Sequence, residues 1–447
     1  MAAPRASRLR KDAESIWWAG VRACDPETLV YRAIRSRTDS LTIAGKRCPA
    51  GRSVWILGAG KASAAMARGA ARALGAKRRL AGGMVIAHAR PRRAVRGVSI
   101  QLGDHPTPGA RSLRAMNALL RFAARIDPGD TVVFLLSGGA SALFCAPADG
   151  LSLTDKAAVT SALLRSGAAI EELNVVRRHL SKVKGGGLLR FLRGARVVTL
   201  ALSDVVGDPP AAIGSGPTVP DPSRFADAAE ILRRYALWER LPGAVRSRLE
   251  DGMRGRIEET PKPADPLFRS AAYRIIGNNR LALEAARREA QRRGYRARIL
   301  SDAVVGDTRA AAHQHLATLE KNRARRAAAS RCWLSGGETT VVVRGGGRGG
   351  RNQEFALACV AGLARLEGCG ILAAGSDGRD GPTPAAGAWA DPTSLERAHR
   401  RRLDPEAFLA RNDSYAFFRR LGDSFVTGPT GTNVMDLRIL LAVPGGG

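Results

Sequence analysis

The segment "FLLSGGASALF", Phe134–Phe144, ends an apolar run in Ser-Gly-Gly, and a second segment, "CWLSGGETTVV" at Cys332–Val342, resembles it. An apolar run that stops at Gly-Gly predicts a buried strand followed by a tight loop. Two successive glycines lack Cβ atoms, so their backbone N–H groups can point at a bound anion. Each segment taken alone is equally compatible with an ordinary turn. The surrounding sequence has to decide between these interpretations.

Strand-like and helix-like segments alternate on both sides of the two loops. "SVWIL", "GGMVIAH", "DTVVFLL" and "ARVVTLALSD" are typical of strands, and Ala-rich or Arg-rich helical segments separate them. The alternation predicts an α/β protein with a parallel sheet in its first half, and it resumes in the second half. The Pro-bearing segment 258–268 is typical of a linker. We therefore expect domains over residues 1–257 and 269–447.

The bulk composition favours a globular enzyme over a nucleic-acid-binding protein. The net charge of +31 is compatible with a polyanionic partner, but only 5% of residues are aromatic and the arginines follow predicted helix surfaces. We interpret the charge as a surface bias that can steer anionic substrates, and we expect no specific nucleic acid as partner. The non-catalytic, nucleic-acid-binding alternative rests on charge alone.

Cysteine usage and hydropathy indicate the compartment. The six cysteines form no Cys-x-x-Cys motif, which is typical of a reducing environment. The basic start lacks the apolar core of a secretory signal, although its arginines leave organellar import open. The longest apolar stretch, Thr131–Pro147, is interrupted by Ser-Gly-Gly, so we expect no membrane span. These features predict a cytoplasmic protein.

The segment "LGAGKAS", Leu57–Ser63, joins a predicted strand to a predicted helix. It is an incomplete dinucleotide fingerprint, because its third glycine is missing and no acid occurs between Lys61 and Asp104. This argues against NAD, whereas NADP stays open with Arg78 or Arg79 nearby. Lys61 at a helix N-terminus favours a phosphate or carboxylate ligand, and a plain surface lysine is the alternative.

Carboxylates follow the predicted strand that ends near residue 203. Asp204 and Asp208 stand in "LSDVVGD", where open α/β sheets place their ligands. The pair could hold Mg²⁺ together with substrate phosphates, or Asp204 could accept a proton from a substrate hydroxyl. A turn or helix cap is the structural alternative for both.

Polar, glycine-rich loops recur in the second half. "GGGRGGRNQEFAL" places Arg351 at the start of a predicted helix, where its guanidinium can bind phosphate or carboxylate. "GSDGRDGPTPAAG" places Asp377 and Asp380 on a loop that could hold a cation. His105, in "GDHPTPG", is more typical of a Pro-bounded structural turn. No Gly-x-Ser-x-Gly motif appears, so a hydrolase triad lacks support.

These segments, taken in order, resemble the class II glycerate kinases, the glycerate 2-kinase family whose C-terminal part is called the MOFRL domain. The resemblance extends over residues 15 to 443. It rests on a dozen ordered motifs, among them "GAGKASAAMA", "GDHPTPG", "LLSGGASALFCAP", "LNVVRRHLSKVKGG", "GSGPTVPDPS", "LSGGETTV", "GGRNQEFAL" and "PTGTNVMDLRI".

The resemblance implies transfer of the ATP γ-phosphate to the 2-hydroxyl of D-glycerate, with Mg²⁺. It also implies two α/β domains, an N-terminal Rossmann-like domain with a parallel sheet and a C-terminal MOFRL domain, and an active site in the cleft between them. ATP and D-glycerate are then the partners, no membrane is involved, and a homodimer is left open. The runner-up is an NAD(P)H-dependent hydroxypyruvate reductase, since some relatives carry that name.

The resemblance also implies functional residues. The catalytic candidates are Lys61, Asp204 and Arg351, and the metal candidates are Asp204, Asp208 and Asp377. Candidates for binding substrate or nucleotide are Gly58, Gly60, Ser137, Gly138, Gly139, Ser141, Lys184, Asn278, Ser335, Gly336, Gly337, Glu338 and Asn352.

Overall fold

The computed structural model describes residues 2–49, 51–75, 80–192, 194–324 and 329–444. Arg78 and Arg79, named above for NADP, lie outside the described residues. The chain divides into two compact units. We call Pro26–Ile276 the central unit, and Met1–Asp25 together with Gly277–Gly447 the terminal unit.

The unit boundaries differ from the domain boundaries expected from sequence. The first helix, α1 (Ala2–Ala23), belongs to the terminal unit, where Trp17 Nε1 donates to the Ala374 carbonyl at 3.3 Å. Segment 258–268 belongs to the central unit, where Thr260 Oγ1 donates to Asp221 Oδ2 at 3.0 Å. Long-range contacts of this kind leave no local signal in the sequence.

The central unit contains a small antiparallel sheet and a large, mostly parallel sheet. The small sheet consists of β1 (Ile34–Ser36), β2 (Leu41–Ile43) and β3 (Lys46–Cys48). The large sheet consists of β4 (Val54–Ala59), β5 (Leu80–Ala87), β6 (Val98–Leu102), β7 (Thr131–Leu136), β8 (Arg196–Leu202) and β9 (Ala271–Gly277), in the order β6-β5-β4-β7-β8-β9. The four pairings from β6 to β8 are parallel, as the alternating sequence predicts.

Helices connect these strands and contribute to the core. They are α2 (Pro26–Ala33), α3 (Ser63–Gly75), α4 (Ala110–Ala123), α5 (Ala140–Leu143), α6 (Leu153–Arg165), α7 (Ile170–His179), α8 (Phe225–Arg234) and α9 (Gly243–Met253). All six residues of β7 are buried, which explains why this strand reads as a continuous apolar run. The ends of β4, β7 and β8 meet at one edge of the sheet, where the candidate loops begin.

The terminal unit is also α/β, but its sheet is mostly antiparallel. Its strands are β10 (Arg296–Val304), β11 (Arg331–Gly337), β12 (Cys369–Gly375), β13 (Gly387–Ala390), β14 (Ser424–Phe425) and β15 (Asp436–Ala442). Within this sheet, β10 and β11 form the only parallel pair among the strands that the structure describes. The last strand, β15, lies antiparallel between β11 and β12. Its helices are α10 (Asn279–Arg292), α11 (Thr308–Ala324), α12 (Arg351–Leu363), α13 (Ser394–Arg400), α14 (Pro405–Ala410) and α15 (Ser414–Leu421).

Among the helices that the structure describes, none combines the length and apolar character that crossing a bilayer requires.

Candidate active site

Two loops interlock at the edge of the large sheet of the central unit. Lys61 N donates to the Gly138 carbonyl at 2.8 Å, and Ser137 Oγ accepts a hydrogen bond from Ala62 N at 3.1 Å. Gly60 has φ +136°, and a Cβ on it would come within 2.1 Å of Ser137 Oγ. Only glycine fits this approach. The loop after β4 and the first Ser-Gly-Gly loop therefore form one rigid assembly.

Gly58 has a different role from the other glycines of this assembly. It lies inside β4, where a Cβ would approach the Leu135 carbonyl to 2.4 Å. The residue is buried and faces the neighbouring strand β7. Its lack of a side chain thus serves the strand pairing.

The glycine pair of this loop brings Asp204, Lys61 and His105 together. A Cβ on Gly138 would lie 1.9 Å from Asp204 Oδ2, so the carboxylate rests directly against the loop backbone. Gly139 has φ +79°, and a Cβ on it would come within 2.9 Å of His105 Nε2 and 3.1 Å of Lys61 Cγ. A cation, a carboxylate and an imidazole therefore border one glycine-lined surface.

Two histidines belong to this cluster. The rings of His88 and His105 lie 6.4 Å apart, centre to centre. Burial, and secondarily the charge of Lys61, lowers the pKa of both imidazoles, which are therefore neutral near pH 7. Sequence reasoning missed His88 and interpreted His105 as a turn residue. The local sequence does not show that the loops after β4 and β5 lie side by side. The parallel pairing of these two strands places both loops at the same edge of the sheet.

Lys184 contacts α5, the short helix that follows the Ser-Gly-Gly loop. The side chain is buried, with 2% of the residue exposed, and Nζ donates to the carbonyls of Ser141 at 3.4 Å and Gly214 at 3.2 Å. It also donates to Ser215 Oγ at 3.3 Å, and that hydroxyl donates to Asn174 Oδ1 at 3.0 Å. These contacts give Lys184 a positioning role beside the loop.

The predicted metal-binding residues are distributed over both units. Asp204 and Asp208 belong to the central unit, and Asp377 belongs to the terminal unit, where its Oδ1 accepts from Arg379 N at 3.0 Å. In the described part of the chain, no group of three or more His, Cys, Asp or Glu side chains has the arrangement of a metal cage. Asp208 has φ +55° and is half-buried. The pKa of Tyr273 is raised mainly by the burial of its own hydroxyl and secondarily by the negative charge of Asp208.

The second Ser-Gly-Gly segment differs from the first, because it lies within strand β11. Ser335 Oγ bonds His315 Nε2 at 2.7 Å, and burial lowers the pKa of this histidine to about 4. A Cβ on Gly336 would come within 1.8 Å of Asn279 Oδ1, while Gly337 has φ +127° at the strand end. All three residues of the segment are buried. Here the glycines serve close packing, whereas the first segment forms a loop.

Arg351 is the cationic centre of the terminal unit. It is the first residue of α12, and its guanidinium contacts Asp436 through two hydrogen bonds, Nε to Oδ2 at 2.6 Å and Nη2 to Oδ1 at 3.1 Å. Nη1 also donates to Glu338 Oε1 at 2.6 Å. Asn352 Nδ2 and Arg438 Nη2 donate to the fully buried Asp436 at 2.9 and 3.4 Å. Buried polar contacts thus fix the orientation of Arg351.

Asp380 fixes the start of the same helix. Its carboxylate accepts the backbone N–H groups of Asn352 at 3.0 Å and Gln353 at 2.8 Å, and the Gln353 side chain at 2.9 Å. Burial raises the pKa of Asp380 to about 6. The sequence suggested a cation loop around this residue, but the contacts show a helix cap. Asp436, at the start of the final strand, lies in the segment "PTGTNVMDLRI" but was not among the candidate residues.

Asn278 acts as a second helix cap. It precedes α10, and its Oδ1 accepts the backbone N–H of Leu281 at 3.0 Å. The sequence pattern "GNNRLALEAA" carries this capping signal as well as the expected binding role.

Comparisons with known proteins agree with this architecture. Residues 12–250 match a family described as a domain of unknown function, DUF4147, and residues 331–436 match the MOFRL family. A glycerate 2-kinase of Pyrococcus horikoshii is 37% identical, over 94% of this chain and 94% of its own. A provisionally named hydroxypyruvate reductase of Agrobacterium vitis is 40% identical, over 95% and 93%. The crystal structure of a glycerate kinase from Thermotoga maritima superposes with a TM-score of 0.86 at 34% identity, over 98% of this chain and all of that one.

Proposed function

The chain belongs to the glycerate kinase family that combines DUF4147 and MOFRL domains, and on this basis we propose that it transfers the γ-phosphate of ATP to the 2-hydroxyl of D-glycerate. The observation that carries the proposal is the contact of Asp204 with the first Ser-Gly-Gly loop beside Lys61. This arrangement brings together the Asp204 carboxylate as acceptor for the hydroxyl proton, the loop backbone around the glycine pair, and the Lys61 cation. Phosphoryl transfer needs groups of these three kinds.

Each group of the cluster has a defined role in the proposed reaction. The 2-hydroxyl oxygen attacks the γ-phosphorus, and Asp204 accepts the hydroxyl proton. The bond from the γ-phosphorus to the bridging oxygen breaks, and ADP leaves with the electron pair. Lys61 stabilises the negative charge that spreads over the transferred oxygens. The products are ADP and 2-phospho-D-glycerate.

Mg²⁺ is the metal that such a reaction uses, and it would neutralise charge on the nucleotide phosphates. It binds through one or two carboxylates and completes its shell with water and phosphate oxygens. Asp204 and Asp208, both on the loop after β8, fit this requirement, since a cage of three or more protein ligands is not needed. We propose these two residues as its protein ligands, with the other Asp204 oxygen left to accept the proton, and omit Asp377, which hydrogen-bonds its own loop.

Arg351 is the proposed cation of the terminal unit. Its link to Asp436 leaves about a third of the side chain exposed, so a phosphate or carboxylate oxygen can reach it. The planar guanidinium suits bidentate binding of such groups. Glu338, which is 46% exposed, pairs with it at the surface and would have to yield to an anionic ligand.

Two coupled assays test the proposal. We expect ADP release that requires both ATP and D-glycerate, with L-glycerate as the control substrate, and enolase should convert the product directly. Formation of 3-phosphoglycerate would contradict the position of transfer. Oxidation of NADH or NADPH by hydroxypyruvate, without ADP release, would establish the reductase instead. The missing ribose-binding acid after Lys61 argues against that outcome for NAD.

The surroundings proposed for the enzyme follow from its thiols and its charge. All six cysteines are free and buried, which suits a reducing compartment such as the cytoplasm. We propose small anionic substrates, and no specific nucleic acid, as the partners of the basic surface. DNA binding that resists physiological salt would contradict this assignment.

A further inference from the structure

A cavity of about 210 Å³ lies in the central unit and has a strongly basic lining. We call it the basic pocket. Its cationic side chains are Arg178, Lys182, Lys184, Arg190 and Arg248. Its wall includes Gly187, where a Cβ would come within 2.4 Å of the Lys182 carbonyl, so the chain approaches itself closely there. Lys61, Gly138 and Asp204 are not part of this lining.

The carboxylates that line the pocket lie at its rim. Asp149 pairs with Lys182 and Glu258 pairs with Arg190, but the side chains of Asp149 and Glu258 are 87% and 78% exposed. Exposed ion pairs of this kind contribute little, because water screens them. An incoming anion can therefore displace these two carboxylates at low cost.

The cations deeper in the pocket are compensated unequally. Arg178 is 7% exposed and pairs with the buried carboxylate of Asp221, with 3.1 Å between Nε and Oδ1. The neighbouring Lys184, at 2% exposed, donates to neutral oxygens. Arg248 donates Nε to the His179 carbonyl at 2.9 Å. Burying a cation without a matching carboxylate costs free energy, which a bound anion would offset.

We propose that the basic pocket binds a small multivalent anion carrying phosphate groups, at a site separate from the Lys61–Asp204 cluster. The cavity volume suits inorganic phosphate, pyrophosphate or a small phosphorylated metabolite. Lys184 lies next to both sites, because the same ammonium lines the pocket and donates to the Ser141 carbonyl in α5, the short helix that follows the Ser-Gly-Gly loop.

Calorimetric titration of the full chain with inorganic phosphate and with pyrophosphate, at low salt and without ATP, tests the proposal. Arg248→Gln should weaken binding roughly tenfold or more, since it removes a charged hydrogen-bond donor. Arg246→Gln is the matched control: it lies on the same helix, α9, and pairs with Glu239 outside the pocket lining. This control should stay within about twofold of the wild type.

Two further variants locate the anion. Lys182→Gln, on a half-exposed side chain, should weaken binding without affecting folding, which protects the test if Arg248→Gln unfolds. Lys61→Ala should leave in place the binding event that Arg248→Gln weakens, and should affect only a second event at the catalytic loops. If Lys61→Ala abolishes binding and Arg248→Gln does not, the anion binds at the catalytic loops and the proposal is overturned. Absence of binding to the wild type at millimolar phosphate and pyrophosphate overturns it as well. These readouts do not depend on glycerate kinase activity.

Discussion

The carboxylate of Asp204 rests against the backbone of Gly138, where a Cβ would come within 1.9 Å of Oδ2. This contact links the loops that follow β7 and β8, and it explains why the apolar run of β7 ends at Ser-Gly-Gly. Any side chain at position 138 would occupy the space of the proposed base. The glycine thus gives a way to move Asp204 without changing it.

Gly138→Ala should lower kcat by about two orders of magnitude while the protein stays folded. General bases contribute roughly 10²–10⁴-fold to rates, and the added methyl group would displace the carboxylate. The backbone of Gly138 lies outside the left-handed region, so alanine adds no backbone strain there. Steady-state kinetics and thermal melts measure both effects.

Gly243→Ala is the control for this substitution. Gly243 begins α9, and a Cβ there meets no atom within 4 Å. This variant should behave as the wild type in both measurements. A Gly138→Ala enzyme with unchanged kcat would remove Asp204 from the reaction.

Lys61→Ala should lower kcat by about 10²–10³-fold with little effect on thermal stability. A preorganised charge at the transferred phosphate is worth about that factor. The lysine is exposed at the turn before α3, so its side chain adds little to the core. Lys46→Ala, at an exposed position of β3, is the charge-matched control. Activity within about twofold of the wild type would refute the assignment of Lys61.

Much of the architecture could be predicted from local sequence patterns. The buried strands β4, β7 and β8 are apolar runs with clear ends, and the loop after β7 carries the glycine signal. The placement of α1 was not predictable, because it depends on contacts such as Trp17 with Ala374, 357 positions apart. The insertion of β15 between β11 and β12 is equally non-local, and alternation of strands and helices does not report it.

The candidate site shows the same limit. Lys61, Asp204 and Arg351 stand in motifs, so residue type and spacing find them. Lys184 also stands in a motif, but its burial depends on packing against Gly214 and Ser215, which the sequence does not reveal. Asp436 reads as an ordinary residue at a strand start, although it orients Arg351.

Arg351→Ala should reduce stability as well as activity. The sequence predicts Arg351 to be an anion-binding residue at the start of a helix, and it indicates no structural role. In the structure it pairs with the fully buried Asp436, which keeps Asn352 and Arg438 as remaining partners. Losing one partner of a buried charge costs about 1–3 kcal/mol. Denaturant unfolding measures this loss.

Arg351→Lys separates stability from catalysis. It keeps a cation beside the buried Asp436, so it should restore part of the stability that Arg351→Ala loses. Asp436 itself is left unchanged, because it is also the charged partner of the fully buried Arg438. The loss in kcat should persist, as an ammonium cannot reproduce the bidentate geometry. An Arg351→Lys enzyme that regains activity along with stability would show that the reaction does not need the guanidinium.

The stability of the folded protein should depend on pH through Lys184. Burial lowers the pKa of this ammonium to about 7, and the charge of Lys156 is the next cause. Arg177 and Arg178 act in the same direction, whereas Cys145 acts in the opposite direction. The unfolded chain keeps a lysine pKa near 10.5. Between pH 7 and pH 10.5 the unfolded state therefore binds a proton that the folded state lacks.

The free energy of unfolding of the wild type should therefore rise as the pH increases through this window, because the buried ammonium loses its proton. Below pH 7 the full cost of burying the charged ammonium applies. Lys184→Met removes the titrating group. The stability of the Lys184→Met variant relative to the wild type should therefore change with pH across the window, by up to about 1.4 kcal/mol per pH unit. In the window the unfolded state binds more protons, so wild-type stability rises with pH and the advantage of the variant is greatest below pH 7 and declines above it.

Urea unfolding of both proteins at pH 6, 7, 8 and 9 measures the difference. Lys182→Met is the half-exposed control and should show no such trend. A difference that stays constant from pH 6 to pH 9 would mean that the folded protein keeps Lys184 charged throughout. A counter-anion in the basic pocket or elsewhere would then already compensate the buried ammonium.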